Sequence, residues 1–419
     1  MSEPRTGTDF AAAGTTSTVA GVAAPPLDLV IVGGCGHVGL PLALSFAQAG
    51  RRVGIYDVDT DKMRRVSEGE MPFKEEGADE LLTQLLPTDR LVMSDDPKVL
   101  AQTDVVVLVI GTPIDEFMNP STRVFERVVG ELGPHLRNDA LVILRSTVYP
   151  GTTHYVEQRL RDMGKQADVA FCPERIAEGH AIEEIRSLPQ LIGASTERAF
   201  QRASQVFDAL EVEIIRTEPK EAEAAKLFTN TWRYLKFAVA NQFFVMANSA
   251  GLDYNRVLHA IRHNYPRGAD LPAPGFAAGP CLLKDTMQLA AFSADHFMLG
   301  HAGMLANEGL PGYLIDSIQE RRSLDGRTVG ILGMAFKGDS DDARTSLSYK
   351  LKKLAAFRGA HVLTTDPYVP DADLRPLDEV VRLSDVLIIG APHSVYRTLD
   401  LDDREVVDIW GVTGKGIRV

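Results

Sequence analysis

The chain has 419 residues, of which 45% are hydrophobic and 24% charged, and 57 acidic against 44 basic side chains give it a net charge of −13. This balance argues against a broad basic surface for nucleic acid or anionic lipid, and no apolar run approaches the ~18–20 residues of a membrane helix. Three cysteines are too few for a disulfide framework, which indicates a reducing, cytoplasmic setting.

The amino-terminal segment, residues 1–26, consists mainly of small and polar residues and ends at Pro25-Pro26. It lacks the cationic start and apolar core of a signal peptide. The composition predicts a disordered tail.

A regular alternation of strands and helices begins at residue 27. The sequence predicts strands at Leu27–Val32 and Arg52–Tyr56, separated by a helix at Leu40–Ala49 that ends at Gly50. Further strands are predicted at three apolar runs, Val105–Ile110, Leu141–Leu144 and Val169–Phe171. Such alternation favours a parallel sheet covered by helices on both faces.

Strand signals stop at about residue 220. Glu221–Ala250 contains no Gly or Pro and predicts one helix of ~45 Å, long enough to span the molecule or to lie in a subunit interface. Beyond it, a helix is predicted around Ser346–Arg358, among the strands Thr328–Leu332, His361–Thr365 and Val386–Ile389. The predicted fold class is α/β, with two Rossmann-like parallel-sheet domains, 27–219 and 325–419, joined by a central helical region, 220–324.

A glycine-rich turn follows the first predicted strand. Gly34, Gly36 and Gly39 fit G-x-G-x-x-G, in which the glycines allow a tight turn, close approach of pyrophosphate and close helix packing, in that order. Asp57 ends the second strand, close to the ~20 residues past the last glycine expected of a ribose-binding carboxylate. A carboxylate there accepts the 2′-OH and repels a 2′-phosphate, so the motif predicts NAD.

Two neighbours of this motif qualify its interpretation. Arg51 and Arg52 are cations near Asp57 that would suit a 2′-phosphate, which keeps NADP as the alternative. Cys35 occupies a variable position of the motif, and we predict that it packs.

Three further segments carry reactive side chains. Lys226 and Asn230 are one turn apart on the long helix and project from one face; burial would lower the pKa of such a lysine. Cys281 follows a Gly/Pro-rich loop and precedes Lys284-Asp285, where a helix N-terminus and nearby cations stabilise a thiolate. Taken singly, these features also fit a solvated helix face and an inert thiol.

The third segment follows the strand Val169–Phe171. Glu174 would lie at the carboxyl edge of the sheet, where parallel sheets bind ligands. Cys172 precedes a proline at the strand end and is predicted to be structural.

Together these segments resemble the UDP-glucose/GDP-mannose dehydrogenase family, NAD-dependent enzymes that oxidise C6 of a nucleotide-linked hexose. The resemblance extends from about Leu27 to Asp408. It rests on a series of motifs in family order: Gly34–Gly39, Tyr56–Asp59, Gly111–Pro113, Ser146–Val148, Pro150–Thr153, Pro173-Glu174, Lys226 with Asn230, Cys281–Asp285, Leu332–Lys337, Asp341–Arg344 and Asp366-Pro367.

The resemblance implies a four-electron oxidation that uses two NAD molecules in succession. Lys226 and Asp285, through a water, would assist removal of the C6 hydroxyl proton. Cys281 would attack the aldehyde to give a thiohemiacetal, which is then oxidised to a thioester. Asn230 with Lys226 would stabilise the oxyanion, and Glu174, helped by Thr147, would activate the hydrolytic water.

The family pattern also implies binding residues. The cofactor set is Gly34, Gly36, His37, Val38, Gly39, Asp57, Lys62, Thr112, Thr147 and Lys284. The substrate set is Glu174, Lys226, Asn230, Arg267, Gly275, Phe276, Lys337 and Arg344. Lys337 and Arg344 would hold the diphosphate, and Arg267 would come from the partner subunit of a homodimer formed through the central helix. No metal is implied.

The substrate stays open at this point. Cys281–Asp285 resembles the UDP-glucose branch, whereas Pro173–Arg175 and the loop after Arg267 resemble the UDP-N-acetylhexosamine branch, and Ala277, Ala278 and Pro280 replace family glycines. UDP-glucose or a closely related NDP-glucose is expected, with UDP-N-acetylglucosamine or UDP-N-acetylmannosamine as the alternative; uracil is not distinguished from thymine.

Two alternatives of another kind remain. A two-electron hydroxyacid dehydrogenase explains Lys226 and Asn230 but leaves Cys281 and residues 325–419 without a role. A non-catalytic nucleotide-sugar binder is supported only by the altered loop before Cys281.

Overall fold

The computed structural model describes residues 25–112, 123–277, 279, 281–294, 296–401 and 404–414. Most of the predicted tail, and the motif residues Pro113, Ala278 and Pro280, lie outside these ranges. Among the helices in these ranges, none combines the length and apolar character needed to cross a bilayer.

The first half of the chain forms an eight-stranded sheet. Its strands are β1 (Leu29–Val32), β2 (Val53–Tyr56), β3 (Leu91–Ser94), β4 (Val105–Leu108), β5 (Leu141–Leu144), β6 (Asp168–Phe171), β7 (Gln190–Ala194) and β8 (Ile214–Thr217). Their order is β3-β2-β1-β4-β5-β6-β7-β8. Neighbours pair in parallel except β6 and β7, which are antiparallel.

Helices cover both faces of this sheet because its central strands are apolar on both sides. Leu29 and Ile31 of β1 enter one core, and Val30 and Val32 enter the other. The helices are α1 (Gly39–Gln48), α2 (Thr60–Ser67), α3 (Ala78–Leu85), α4 (Arg123–Leu132), α5 (Thr152–Asp162), α6 (Ala181–Ser187) and α7 (Glu197–Phe207), with short 3-10 helices at Pro97–Gln102, Gly133–His135 and Asp208–Leu210.

A helical region follows the sheet. It comprises α8 (Pro219–Ser249), α9 (Tyr254–Arg262), α10 (Leu282–Phe292) and α11 (Met298–Arg321). Pro219 starts α8, and Glu218 and Glu221 form a capping box that satisfies its first backbone N–H groups. The 31-residue α8 packs against the first sheet, α10 and α11.

The second sheet is smaller and wholly parallel. Its strands β9 (Thr328–Leu332), β10 (His361–Thr365), β11 (Val386–Ile389) and β12 (Glu405–Val407) lie in the order β10-β9-β11-β12. Helices α12 (Leu347–Phe357) and α13 (Leu377–Leu383) and a short 3-10 helix at Ser394–Thr398 accompany them. Phe244 of α8 and Leu310 of α11 share one core with Val329 of β9.

The two-sheet α/β fold with a long central helix is therefore confirmed, with one correction. The first sheet is not wholly parallel, because β7 runs against β6. The sequence analysis missed β3, β7, β8 and β12. β3 and β8 are partly exposed edge strands, so neither shows the continuous apolar run by which the buried strands were predicted.

Candidate active site

The glycine turn after β1 differs from the prediction at its first residue. The left-handed residue is Gly33, with φ 75°, and a Cβ there would overlap the Val109 carbonyl. Gly34, predicted to allow the tight turn, instead provides close packing, since its Cβ would lie 2.8 Å from Ile55 Cγ2. The tight turn predicted for Gly34 is therefore made by the glycine that precedes the motif.

The next two glycines fulfil the predicted geometry. A Cβ on Gly36 would meet only the Gly33 oxygen, at 3.5 Å, so the backbone is open to a close ligand, whereas a Cβ on Gly39 would overlap the turn itself. Val38 is the N-cap of α1, and α1 has neither a side-chain cap nor an acidic residue in its first turn. These residues fit a pyrophosphate at a helix N-terminus.

An acidic edge adjoins the turn. Asp57 accepts the backbone N–H of Cys35 at 2.9 Å and of Asp59 at 3.0 Å, and Lys62 pairs with Asp59 at 2.9 Å. Cys35 is fully buried, and burial, followed by the Asp57 charge, raises its pKa to about 12, as suits a packing residue. Asp57 is half-buried and accessible to a ribose hydroxyl.

The two arginines that favoured NADP do not reach this edge. Arg51 pairs with Asp28, and Arg52 donates to the carbonyl of Asp89, both at the amino end of β2. Because Asp57 follows the carboxyl end of that strand, the interpretation as an NADP site loses its support.

Cys281 is the N-cap of α10, as predicted for a thiol at a helix start, and it is exposed. Desolvation and the Asp285 carboxylate raise the pKa of this thiol, and Lys284 and Lys226 oppose them. Asp285 lies one turn into the same helix, and the stabilised thiolate at Cys281 stays a prediction. The other predicted structural thiol, Cys172, is fully buried.

Asp285 is the buried centre of the cluster. It accepts from the Asn230 amide at 2.5 Å and pairs with Lys284 at 2.7 Å. Lys284 also donates to the Thr112 hydroxyl at 3.2 Å. Two predicted cofactor residues and two predicted catalytic residues therefore meet in one chain of contacts.

Lys226 faces this cluster from α8. Desolvation lowers its pKa, as predicted, while Asp285, Cys281 and Glu174 act in the opposite direction. Asn230, one turn along α8 from Lys226, donates to Asp285 of α10, so Lys226 lies beside the cluster at the start of α10. Glu223, one turn earlier on α8, joins this helix to the start of α5 by accepting the N–H groups of Gly151 and Thr153.

Glu174 is more tightly held than the sequence suggests. Arg145, the residue after β5, donates to it from a buried position. Thr147 lies half-buried in the same loop, and within the described chain it makes no hydrogen bond to Glu174. The assistance of Thr147 to Glu174 stays a prediction.

A charged seam joins the first sheet to the second. Arg344 contacts Asp342 at 2.5 Å and Glu178 at 3.2 Å, and Lys337 donates to the Glu178 carbonyl. Burial and the Asp342 charge raise the pKa of Glu178 to about 7. Burial, followed by the charge of Arg344, lowers the pKa of His37 in the glycine turn to about 4.

The loop before Cys281 is clamped from two sides. The side chain of Asn241 on α8 bonds both the N–H of Gly275, at 2.8 Å, and its carbonyl, at 3.0 Å. From the second domain, Trp410 packs on Gly275 and meets the Phe276 ring edge-on. Arg267, earlier in the loop, is exposed and donates no hydrogen bond within the part of the chain that the structure describes.

The sequence analysis missed four residues of this site: Arg145, Asn241, Glu223 and Glu178 were given no role. One signal was available, because Arg145 is a charged residue directly after a fully apolar strand, at the edge where ligands bind. The partners of Asn241 and Glu223 are too distant in sequence to be inferred.

Comparison with known proteins gives one consistent result. Models of the NAD binding, central and UDP binding domains of the UDP-glucose/GDP-mannose dehydrogenase family match residues 28–211, 220–305 and 330–415. The chain is 31% identical over 416 residues to a UDP-glucose 6-dehydrogenase of Haloferax volcanii, covering 91% of this chain and 96% of that protein.

Other relatives carry a different substrate in their names. A UDP-N-acetyl-D-mannosamine dehydrogenase of Pyrococcus horikoshii is 27% identical over 401 residues, with 93% of each chain covered. Among solved structures, a UDP-glucose dehydrogenase of Pyrobaculum islandicum superposes with a TM-score of 0.85 at 29% identity, over 93% of this chain and 95% of that one.

Proposed function

We propose that this chain, which belongs to the UDP-glucose/GDP-mannose dehydrogenase family, oxidises the C6 hydroxyl of UDP-glucose or a closely related NDP-glucose to the carboxylate. Bound at the β1–α1 turn, NAD supplies the hydride acceptor, and two NAD molecules serve each sugar. The observation that carries the proposal is the convergence of Lys226, Asp285 and Cys281 between the two sheets.

The first task of the protein is to take the C6 hydroxyl proton. Lys226 has a lowered pKa, so it is a better proton acceptor at neutral pH than an exposed lysine. Asp285 is held by Asn230 and Lys284 and orients a water between Lys226 and the hydroxyl.

Cys281 then holds the sugar covalently. Its sulfur bonds to the aldehyde carbon while the thiol proton passes to the aldehyde oxygen, which gives a thiohemiacetal. Asn230 and Lys226 stabilise the negative charge that develops on that oxygen. Because burial raises the pKa of this thiol, we expect attack to be coupled to this proton transfer.

The thiohemiacetal then loses its hydroxyl proton, and its C6 hydride goes to the second NAD, which gives a thioester. Hydrolysis of this thioester completes the reaction. Water bonds to the carbonyl carbon, its proton goes to Glu174, and the C–S bond breaks with its electron pair left on Cys281. Glu174 suits this task because it lies at the carboxyl edge of the first sheet and its charge reaches Lys226.

The seam would bind the diphosphate. Lys337 and Arg344 now contact Glu178 and Asp342, and a diphosphate offers them a stronger set of acceptor oxygens. Gly275 and Phe276 would line the sugar pocket, and Lys62 and Thr112 would complete the cofactor site.

The sugar is tested directly by a panel of UDP- and TDP-linked glucose, N-acetylglucosamine and N-acetylmannosamine, scored by NADH absorbance. We expect the highest kcat/KM with UDP-glucose; preference for an N-acetylhexosamine would establish the alternative, which relatives such as the P. horikoshii enzyme favour.

Cys281→Ser should lose turnover. Full turnover by this variant would indicate a two-electron dehydrogenase, and binding without NADH formation in the native protein a non-catalytic binder.

We also propose a homodimer through α8. Along one stripe of this helix lie exposed apolar side chains, which an isolated chain would leave in water: Phe228, Trp232, Val239, Phe243 and Met246. Arg267 is exposed and would reach the partner's substrate. A cytoplasmic setting suits the chemistry, since the Cys281 thiol must stay reduced.

Subunit mixing tests this assembly. Arg267→Ala and Cys281→Ala are each expected to be inactive, but hybrid dimers would contain one site with both residues intact. Refolding an equal mixture should restore up to about a quarter of native activity if association is random. No recovery in confirmed hybrids would contradict a shared site.

A further inference from the structure

We propose that Arg145 is a positioning residue that fixes the Glu174 side chain in one orientation for thioester hydrolysis. The inference rests on the proposed function and adds a residue to which sequence reasoning assigned no role.

Arg145 is an unusually complete anchor. It is 3% exposed. Its Nε donates to Glu174 Oε2 at 2.8 Å, and Nη2 donates to the same oxygen. Its Nη1 donates to the Gln190 side chain at 2.8 Å and to the Cys172 carbonyl at 3.2 Å. All three guanidinium nitrogens are therefore occupied, and the ring of Phe207 lies 5.4 Å from its carbon.

The other carboxylate oxygen of Glu174 is fixed by the backbone. Oε1 accepts the N–H of Arg175 at 2.7 Å and of Ile176 at 3.1 Å. With Glu174 only 8% exposed, these bonds leave the side chain little rotational freedom. The orientation is set by Arg145 on one oxygen and by the loop on the other.

The antiparallel strand β7 explains why this anchor forms here. Because β7 runs against β6, its first residue, Gln190, lies at the carboxyl edge of the sheet beside the end of β6. Gln190 also donates to the Leu191 carbonyl at 2.8 Å, so its amide is oriented to accept from Arg145. If β7 ran parallel to β6, its last residue, Ala194, would lie at this edge in place of Gln190.

The chemical consequence follows from burial. A buried carboxylate without a cation partner favours its neutral form, and a neutral carboxyl group cannot accept a proton from water. Arg145 supplies that cation partner, and its guanidinium group prevents Glu174 from turning away. Orientation errors of about 1 Å cost ~10²-fold in rate at such sites.

The test uses the full-length protein and Arg145→Met. We expect steady-state turnover to fall ~10–100-fold, with the NADH burst of the first turnover retained and a thioester visible by mass spectrometry of acid-quenched protein. The pH dependence of the slow phase should shift to higher pH in the Met variant, and Arg145→Lys should partly restore the native profile by returning the charge.

Arg202→Met is the matched control. Arg202 pairs with Asp168 at 2.7 Å at the opposite end of β6, so its loss also breaks an ion pair of this sheet. We expect it to lower thermal stability without changing the pH profile or the burst. If Arg145→Met fails to fold, Gln190→Leu should give a smaller shift in the same direction.

Three outcomes distinguish a positioning role for Arg145, a purely structural role, and a failure of the proposed function. An unshifted pH profile in Arg145→Met, or equal loss of burst and steady state, would overturn the positioning role and make the pair purely structural. A retained burst with a shifted slow phase supports it. If the native enzyme itself forms no thioester, the proposed function is wrong and the inference falls with it. If the native enzyme forms the thioester, the results with Arg145→Met bear on the inference alone.

Discussion

The two sheets of this chain place an aspartate at the same topological position and use it differently. Asp57 follows β2, which pairs with the strand of the first glycine turn, and Asp366 follows β10, which pairs with the strand of the second turn. Asp57 accepts one N–H from its glycine turn and stays half-buried. Asp366 has no exposed side-chain surface and accepts the N–H groups of Met334 and Ala335 from its turn.

His393 accounts for the difference. Its Nδ1 accepts the N–H of Asp339 at 2.9 Å, so Nε2 carries the proton and donates to Asp366 at 2.9 Å. Burial alone would raise the pKa of Asp366, but the bond from His393 and the backbone donors lower it to about 2. Asp366, the acid of the second sheet, therefore has a structural role: it accepts the hydrogen bonds that hold its turn and His393 together.

The contrast teaches that the βαβ turn does not by itself define a dinucleotide site. What matters is whether the acid at the strand end remains open to a ribose hydroxyl. In the first sheet it does; in the second, we expect the nucleotide to be held by Lys337 and Arg344 instead.

The largest expected effect is on folding. Asp366→Ala would leave His393 and the backbone N–H groups of Met334, Ala335, Tyr368 and Val369 without their acceptor. It should lower the free energy of unfolding by about 3–5 kcal/mol. Asp57→Ala should cost about 1 kcal/mol. Urea denaturation of both variants measures this, and equal losses would contradict the comparison.

The second effect is on cofactor binding. Asp57→Ala removes a charged acceptor for the ribose and should weaken NADH binding roughly 10–100-fold. Asp366→Asn, which keeps the shape of the aspartate side chain, is the control and should bind NADH within a few-fold of the native protein. Calorimetric titration distinguishes them; similar weakening in both would show that neither acid contacts the cofactor directly.

The third effect is on acid stability. The folded pKa of Asp366 lies below its usual value of 3.8, so its contribution is present above about pH 4 and is lost as the pH falls toward 2. The size is about 2 kcal/mol. Thermal unfolding between pH 5 and 2 should therefore show a smaller acid-induced loss in Asp366→Asn; identical slopes would refute the assignment.

Sequence reasoning succeeded where burial dictates the pattern. The strands at Leu141–Leu144 and Thr328–Leu332 are found with the predicted bounds, because apolar runs between turn residues define both ends. The long helix at Glu221–Ala250 is found as Pro219–Ser249, since no helix breaker interrupts it.

The features that the sequence did not predict depend on contacts between residues that are distant in the chain. The left-handed residue is Gly33 rather than Gly34, and the carbonyl of Val109, which follows β4, leaves no space there for a Cβ. Nothing near residue 145 reveals that its partner is Glu174, since the contact depends on strand order. The raised pKa of Cys281 likewise depends on burial and then on the nearby Asp285 charge. The central domain bounds and the roles of the site residues remain predictions.

The proposed four-electron oxidation is tested by the ratio of NADH formed to nucleotide sugar consumed when the sugar is limiting and NAD is in excess. We expect two NADH per sugar, with the uronate as product. One NADH per sugar at complete consumption would contradict it.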